Sequence, residues 1–265
     1  MKIPPRLWIL AWLAGLFMVA CQPINTPVSA PTLVPDCIGS GQIVHDAAPS
    51  KNSSQPIAMQ VYLPPCYDSQ AESAYPVLYL LHGSGHSESS WFKAGVDQIA
   101  EDHILSGNVP PFIIVTPRLI EDDRRAKFMI EDVIPYVDSH YRTLNDRQYR
   151  AISGASLGAI LSTQAALQHP DMFANLACFG GAAVKSDKEL LAGWINGIPE
   201  YQRPRILIDI GQQDPFLYTG QILMDILNAA DYPYRYNSEE GGHTYTYWAG
   251  NFDEFVLSWI AEDWE

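Results

Sequence analysis

Tyr149-Arg150-Ala151-Ile152-Ser153-Gly154-Ala155-Ser156-Leu157-Gly158 joins a short, partly β-prone run to an alanine- and leucine-rich segment with helical spacing at Leu157, Ile160, Leu161 and Ala165. A serine held between two glycines at a strand-to-helix turn has a chemical meaning. Its hydroxyl is a poor nucleophile unless it sits on a sharp, exposed turn, is served by a base and is faced by backbone donors. Gly154 and Gly158 also have a steric reason, because in such an elbow the backbone passes close to the helix and the neighbouring strand. The pattern alone is weak: with glycine near 7% of average composition, a chance match arises in about one chain in ten. Ser156 is therefore either a nucleophile or a helix cap after a glycine turn, and the rest of the chain must decide.

Working outward, alternating Ile57, Met59, Val61 and Leu63 predict a strand closed by Pro64-Pro65. Val77-Leu78-Tyr79-Leu80-Leu81, Phe112-Ile113-Ile114-Val115 and Ile206-Leu207-Ile208-Asp209-Ile210 are continuous apolar runs, the kind buried on both faces of a parallel sheet. Helical patterns fall at 96–105, 127–140, 157–168, 219–228 and 251–261. Strands alternating with helices of this length predict an α/β fold with a doubly wound, mostly parallel sheet. The stretch from Phe179 to Ile206 is too short for a large lid domain, which predicts an open cleft.

In such sheets sites form outside the carboxyl ends of the strands. The loops there are His82-Gly83-Ser84-Gly85-His86, the Ser156 turn, Gly211-Gln212-Gln213-Asp214 and, after Tyr234-Arg235-Tyr236, Gly241-Gly242-His243. They carry a nucleophile, an acid, a base and glycine-rich backbone in the order Ser, Asp, His. Among seven histidines only His243 follows a glycine pair after the last predicted strand, which makes it the candidate general base. His103, His140 and His169 fall in or at the ends of predicted helices, and His82 suits a structural role at the Gly83 loop. Asp214 is the candidate acid, with a turn-forming role before Pro215 as the alternative; its rival Asp209 lies inside an apolar strand. No cysteine and histidine cluster has metal-ligand spacing. No cofactor is implied.

Taken together these segments resemble the putative esterase family of α/β-hydrolases, which includes esterase D-like, enterochelin esterase-like and feruloyl esterase-like enzymes and the mycolyltransferases. Val61-Tyr62-Leu63-Pro64-Pro65, Tyr79-Leu80-Leu81-His82-Gly83, Ile134-Pro135-Tyr136-Val137-Asp138 and Tyr141-Arg142-Thr143 carry the resemblance, with the serine, aspartate and histidine loops, from Ile57 to Trp264. Ala159 departs from it where a second glycine commonly follows the elbow, and so does His86, in a loop where small residues are usual. The resemblance implies a serine esterase acting through an acyl-enzyme on short-acyl, aryl or glycan-linked esters. It assigns Ser156, Asp214 and His243 to catalysis and the oxyanion donors to the Leu157 amide and the Ser84 region, with Gly85 next. His86, Trp91, Tyr245 and Trp248, together with Tyr247, are candidates to line the substrate pocket, or else core aromatics. An acyltransferase of the mycolyltransferase-like type would use the same residues, and a non-catalytic surface lipoprotein is the alternative from another class.

The chain opens with Lys2 and Arg6, an apolar run to Ala20, and Cys21, which reads as an export signal over residues 1–20. Leu16-Phe17-Met18-Val19-Ala20-Cys21 resembles a bacterial lipobox, with Met18 where leucine is usual, and so assigns a lipid to Cys21. Residues 21–35, rich in Pro, Thr, Ser and Ala, predict a flexible tether, followed by an esterase domain over 36–265. The net charge of −14 becomes −16 without residues 1–20, which carry two basic side chains and no acidic one. Such a surface argues against nucleic acid and against charge-driven membrane binding, and leaves the lipid as the membrane anchor of an exported envelope protein, with a secreted protein as the alternative. Export also permits disulfides: Cys37 and Cys66, both near the first strands, are the candidate pair, whereas Cys178 lies in an apolar stretch that predicts a buried thiol. The Glu121-Asp122-Asp123 run reads as a solvated loop.

Overall fold

A computed structural model of the protein describes residue 37 and residues 39–51, 53–120 and 126–260. The expected export signal, Cys21, the expected tether and Glu121-Asp122-Asp123 lie outside the described residues. In chain order the strands are β1 (Gln42–Ala48), β2 (Ile57–Leu63), β3 (Val77–Leu81), β4 (Ile113–Pro117), β5 (Arg150–Ala155), β6 (Asn175–Phe179), β7 (Arg205–Asp209) and β8 (Arg235–Asn237). The helices are α1 (Ser90–Lys93), α2 (Val96–Leu105), α3 (Ile134–His140), α4 (Leu157–Gln168), α5 (Lys188–Gly197), α6 (Leu217–Ala229), α7 (Tyr245–Gly250) and α8 (Phe252–Ile260). The strands form one sheet in the order β1-β2-β4-β3-β5-β6-β7-β8. Pairing is antiparallel from β1 through β2 to β4 and parallel from β4 to β8.

The unbroken apolar runs follow from two covered faces. Val77, Tyr79 and Leu81 of β3 enter one core with α3, α4, α5 and α6, while Leu78 and Leu80 enter another with α2 and α8. Successive strand side chains point to opposite faces, so a strand between two helical layers needs an apolar residue at every position. The 180–204 connection carries α5, whose Leu191 and Ile195 are buried in the first core; it is part of the wall, and the fold has no large lid. Among the described residues no helix is long and apolar enough to cross a membrane.

Two elements differ from the sequence expectation. The single helix expected over 127–140 is a π-helical turn at Met129–Val133 that hands over to α3 at Ile134. Pro135 lacks the N–H that an α-helix would direct to residue 131, and the wider turn absorbs the missing bond. The sheet also has an edge strand, β1, that the apolar pattern did not indicate; only its last residue, Ala48, is buried. A disulfide joins Cys37, ahead of β1, to Cys66, just past β2, with the Cα atoms 6.0 Å apart. Cys178 is free and buried, and burial pushes its thiol up to about 12.

Candidate active site

Ser156 sits between β5 and α4 with φ 54° and ψ −116°, in a left-handed backbone region that costs a non-glycine residue roughly 1–3 kcal/mol. Its surroundings enforce that conformation. The Ser156 N–H donates to the Phe179 carbonyl at the end of β6 (2.9 Å). A Cβ on Gly154 would lie 2.5 Å from the Gly158 carbonyl carbon, and one on Gly158 would lie 2.5 Å from the Leu81 carbonyl oxygen. Helix, serine strand and β3 thus meet backbone to backbone. The Ser156 side chain makes no capping bond, unlike Thr244 at the start of α7, whose hydroxyl accepts from the Tyr247 N–H. The hydroxyl is left at the mouth of α4, where the helix dipole favours negative charge.

Beside it runs the loop after β3. The His86 N–H donates to the Gly83 carbonyl (3.2 Å), and Gly85 has φ 74°, which makes Gly83–His86 a turn of type II character with Ser84 and Gly85 at its tip. His82 fastens the turn from below. Its Nδ1 pairs with the Gly83 carbonyl (2.8 Å) and its Nε2 accepts from the Leu119 N–H (3.1 Å). That pattern needs the neutral Nδ1–H tautomer, and burial lowers the His82 pKa accordingly. The Gly83 N–H donates to the Tyr245 hydroxyl (3.1 Å). Among the described residues the Ser84 and Leu157 amides have no intrachain acceptor.

On the other side the β7 and β8 loops are laced together. The Gln213 N–H donates to the Gly241 carbonyl (2.9 Å), and the Gly241 N–H to Gln213 Oε1 (2.5 Å). Asp214 Oδ1 accepts from the Phe216 N–H (2.8 Å), leaving Oδ2 to pair with His243 Nδ1 at 2.8 Å. The Asp214 side chain is fully buried and that of His243 is 23% exposed. Phe216 and Trp248 flank the imidazole, each 4.8 Å between ring centroids. A carboxylate on Nδ1 sets the tautomer whose free Nε2 accepts a proton. Asp209 stands apart. It is wholly buried, accepts from Asn237 Nδ2 (3.0 Å) and Asn251 Nδ2 (3.2 Å), and has its pKa raised chiefly by burial.

These loops enclose a cavity of about 320 Å³ lined by Gly83, Ser84, His86, Ser156, His243, Thr244, Tyr245 and Trp248. Three of the aromatic candidates are therefore at the cavity, and two are not. Trp91 is fully buried; its indole N–H is satisfied by the Leu81 carbonyl (2.9 Å), and its ring supports Tyr245 and Trp248 from behind. Tyr247 lies beneath Gly241, whose missing Cβ would collide with its ring, and its hydroxyl accepts from the Glu239 N–H (3.3 Å). Phe216, which packs on His243, has no motif that announces it. Its place follows only from the turn that Asp214 opens.

Residues 50–258 match the family model described as "Putative esterase". A protein of Xylanibacter ruminicola named endo-1,4-beta-xylanase/feruloyl esterase is 30% identical over 152 residues, covering 51% of this chain and 21% of that protein. The chain thus spans about a fifth of that relative's length. Among solved structures, a ferulic acid esterase superposes with a TM-score of 0.74 at 24% identity, covering 84% of this chain and 98% of the other. A mutant of the feruloyl esterase module from Clostridium thermocellum complexed with sinapinate gives 0.74 at 20% identity, covering 89% and 97%. At these identities the solved structures establish the fold.

Proposed function

The chain belongs to the putative esterase family, and on that premise we propose that it is a serine carboxylic-ester hydrolase working through an acyl-enzyme on Ser156. The observation that carries this reading is a serine held at φ 54° in one cavity with His243, whose other ring nitrogen is bonded to a buried aspartate. Ser156 Oγ attacks the ester carbonyl carbon while His243 Nε2 takes its proton, and Asp214 stabilises the resulting imidazolium. The amides of Leu157 and Ser84 receive the oxyanion. When the carbonyl re-forms, the carbon–alkoxy bond breaks and His243 returns the proton to the departing alcohol. Water then attacks the acyl-enzyme, gives a proton to His243 and releases the acid, and Ser156 recovers its own.

An aryl acyl group of the hydroxycinnamoyl class, carried on a glycan, is the substrate class we assign. The names of the feruloyl esterase relatives support it, as does a cavity edged by Tyr245 and Trp248. The reading also makes the protein an exported one, lipid-anchored at Cys21 through the 21–35 tether.

The test is hydrolysis of p-nitrophenyl butyrate and methyl ferulate by wild type and Ser156→Ala, with a serine-directed phosphonate and mass spectrometry. We expect turnover to fall by about 10⁴- to 10⁶-fold and a single adduct on the Ser156 peptide of the wild type. Most activity surviving in Ser156→Ala would remove the mechanism.

A further inference from the structure

A second recess of about 570 Å³ adjoins the cavity over Ser156, and His86 and Tyr245 line both. The partition between them is firmly built. Tyr245 accepts the Gly83 N–H through its hydroxyl and packs edge-on against His86, Trp91 and Trp248, with centroids 4.8, 5.1 and 4.9 Å away. Beyond it the recess is walled by Ser90 and Lys93 of α1, Ile99 of α2 and Thr246 of α7.

The charge of this surface differs from that of the chain. The protein carries −14 overall with 30 acidic residues, yet neither recess has an aspartate or glutamate in its lining. Lys93 is the lysine of the larger one, exposed, and without an ion pair among the described residues. Glu88, on the preceding turn, is paired with Arg118 (3.2 Å), and Asp97 turns a carboxylate oxygen into the interior. Ser90 and Thr246 add hydroxyls to the same lining, with Ile99 as an apolar wall.

We propose that this recess is a substrate subsite for the part of the ester remote from the reacting carbonyl, and that Lys93 selects esters bearing a carboxylate there; the proposal rests on the esterase reading above. Lysine acts as a flexible point charge, so the preference is electrostatic and shrinks as salt screens it. The carboxylate can belong to either side of the ester. A dicarboxylic half-ester places it on the acyl side and a feruloylated uronic acid on the alcohol side.

Two matched pairs decide between them: p-nitrophenyl hydrogen adipate against p-nitrophenyl hexanoate, and feruloyl glucuronate against feruloyl glucose. For each pair the anionic-to-neutral ratio of kcat/KM is measured in the wild type, Lys93→Ala, Lys93→Glu and Lys93→Arg. The corresponding ratio of Kd is measured by calorimetry in the uncleaving Ser156→Ala background. In one pair we expect the ratio to fall about two- to fivefold in Lys93→Ala, a size fitting one exposed charge, to fall further in Lys93→Glu, and to survive in Lys93→Arg. The responding pair identifies the side of the ester that enters the recess. Ratios in both pairs indifferent to Lys93→Glu would overturn the subsite even with Ser156-dependent turnover intact. A Kd preference that follows residue 93 without any turnover would keep the subsite and sink the esterase reading instead.

Discussion

The interior of the sheet and its antiparallel edge are built on different terms. β3, inside the parallel half, is buried at all five positions and delivers the loop that carries Ser84 at its carboxyl end. β1, at the antiparallel edge, buries only Ala48 fully and contributes nothing to the cavity. A parallel strand packed on both faces is sited by its own side chains. An edge strand with one wet side is sited by its partner's backbone, through the full ladder from Gln42–Leu63 to Ala48–Ile57, and by the Cys37–Cys66 bridge at its open end. Function gathers where position is over-determined, and the edge serves to close the sheet.

The sharpest way to break this contrast is a pair of truncations. Leu78→Ala removes a fully buried side chain from the α2–α8 core and is expected to cost about 2–5 kcal/mol in urea unfolding. Ile43→Ala on β1, where the native side chain is 38% exposed, is expected to stay within about 0.5 kcal/mol. Equal losses at the two sites would show that β1 is as deeply anchored as β3.

The disulfide sharpens the same comparison at a smaller scale. It closes a span of 29 residues around β1 and β2, and loop-closure entropy of that size is worth about 2–4 kcal/mol. Replacing both cysteines by alanine should lower the melting temperature by that equivalent and leave ester turnover as it was, since Cys37 and Cys66 lie away from the cavity. A loss of turnover in a sample still folded at the assay temperature would tie the edge to the site.

This division also explains what could be read from letters. β3, β4 and β7 are legible because burial on two faces writes an unbroken apolar run, and α2 and α4 because their boundaries coincide with changes of pattern. The Ser156, Asp214 and His243 loops stand out because each follows a strand with glycine close to a reactive side chain. Gln42–Ala48 has no such mark: its alternation of Val44, Asp46 and Ala48 carries a polar residue on the half-buried side, where Asp46 accepts from the Tyr136 and Tyr141 hydroxyls (2.9 and 2.7 Å). Trp91 misleads for the opposite reason. An indole near a site loop looks like a pocket wall until the partner of its N–H, the Leu81 carbonyl, is known, and that partner is a matter of tertiary geometry.

His82 links the robust half of the sheet to the site, and its titration gives the smallest of these effects. Its folded pKa lies below the usual 6.5 because burial penalises the imidazolium. Between that lowered value and 6.5 the unfolded chain binds the proton more readily than the native one, so stability falls as pH drops through this window and levels off below it. Protonation also deprives the Leu119 N–H of its acceptor on Nε2, which loosens the turn that presents Ser84. Asp209 and Glu254, whose pKa values burial raises, act with the opposite sign from about pH 4 upward, so the bare pH profile mixes the two. The difference between wild type and His82→Gln isolates the histidine. Below pH 6.5 the wild type should lose melting temperature faster than the variant, and above pH 7 the two curves should run parallel. Parallel curves over the whole range would mean that His82 titrates alike in both states and is not held neutral by the fold.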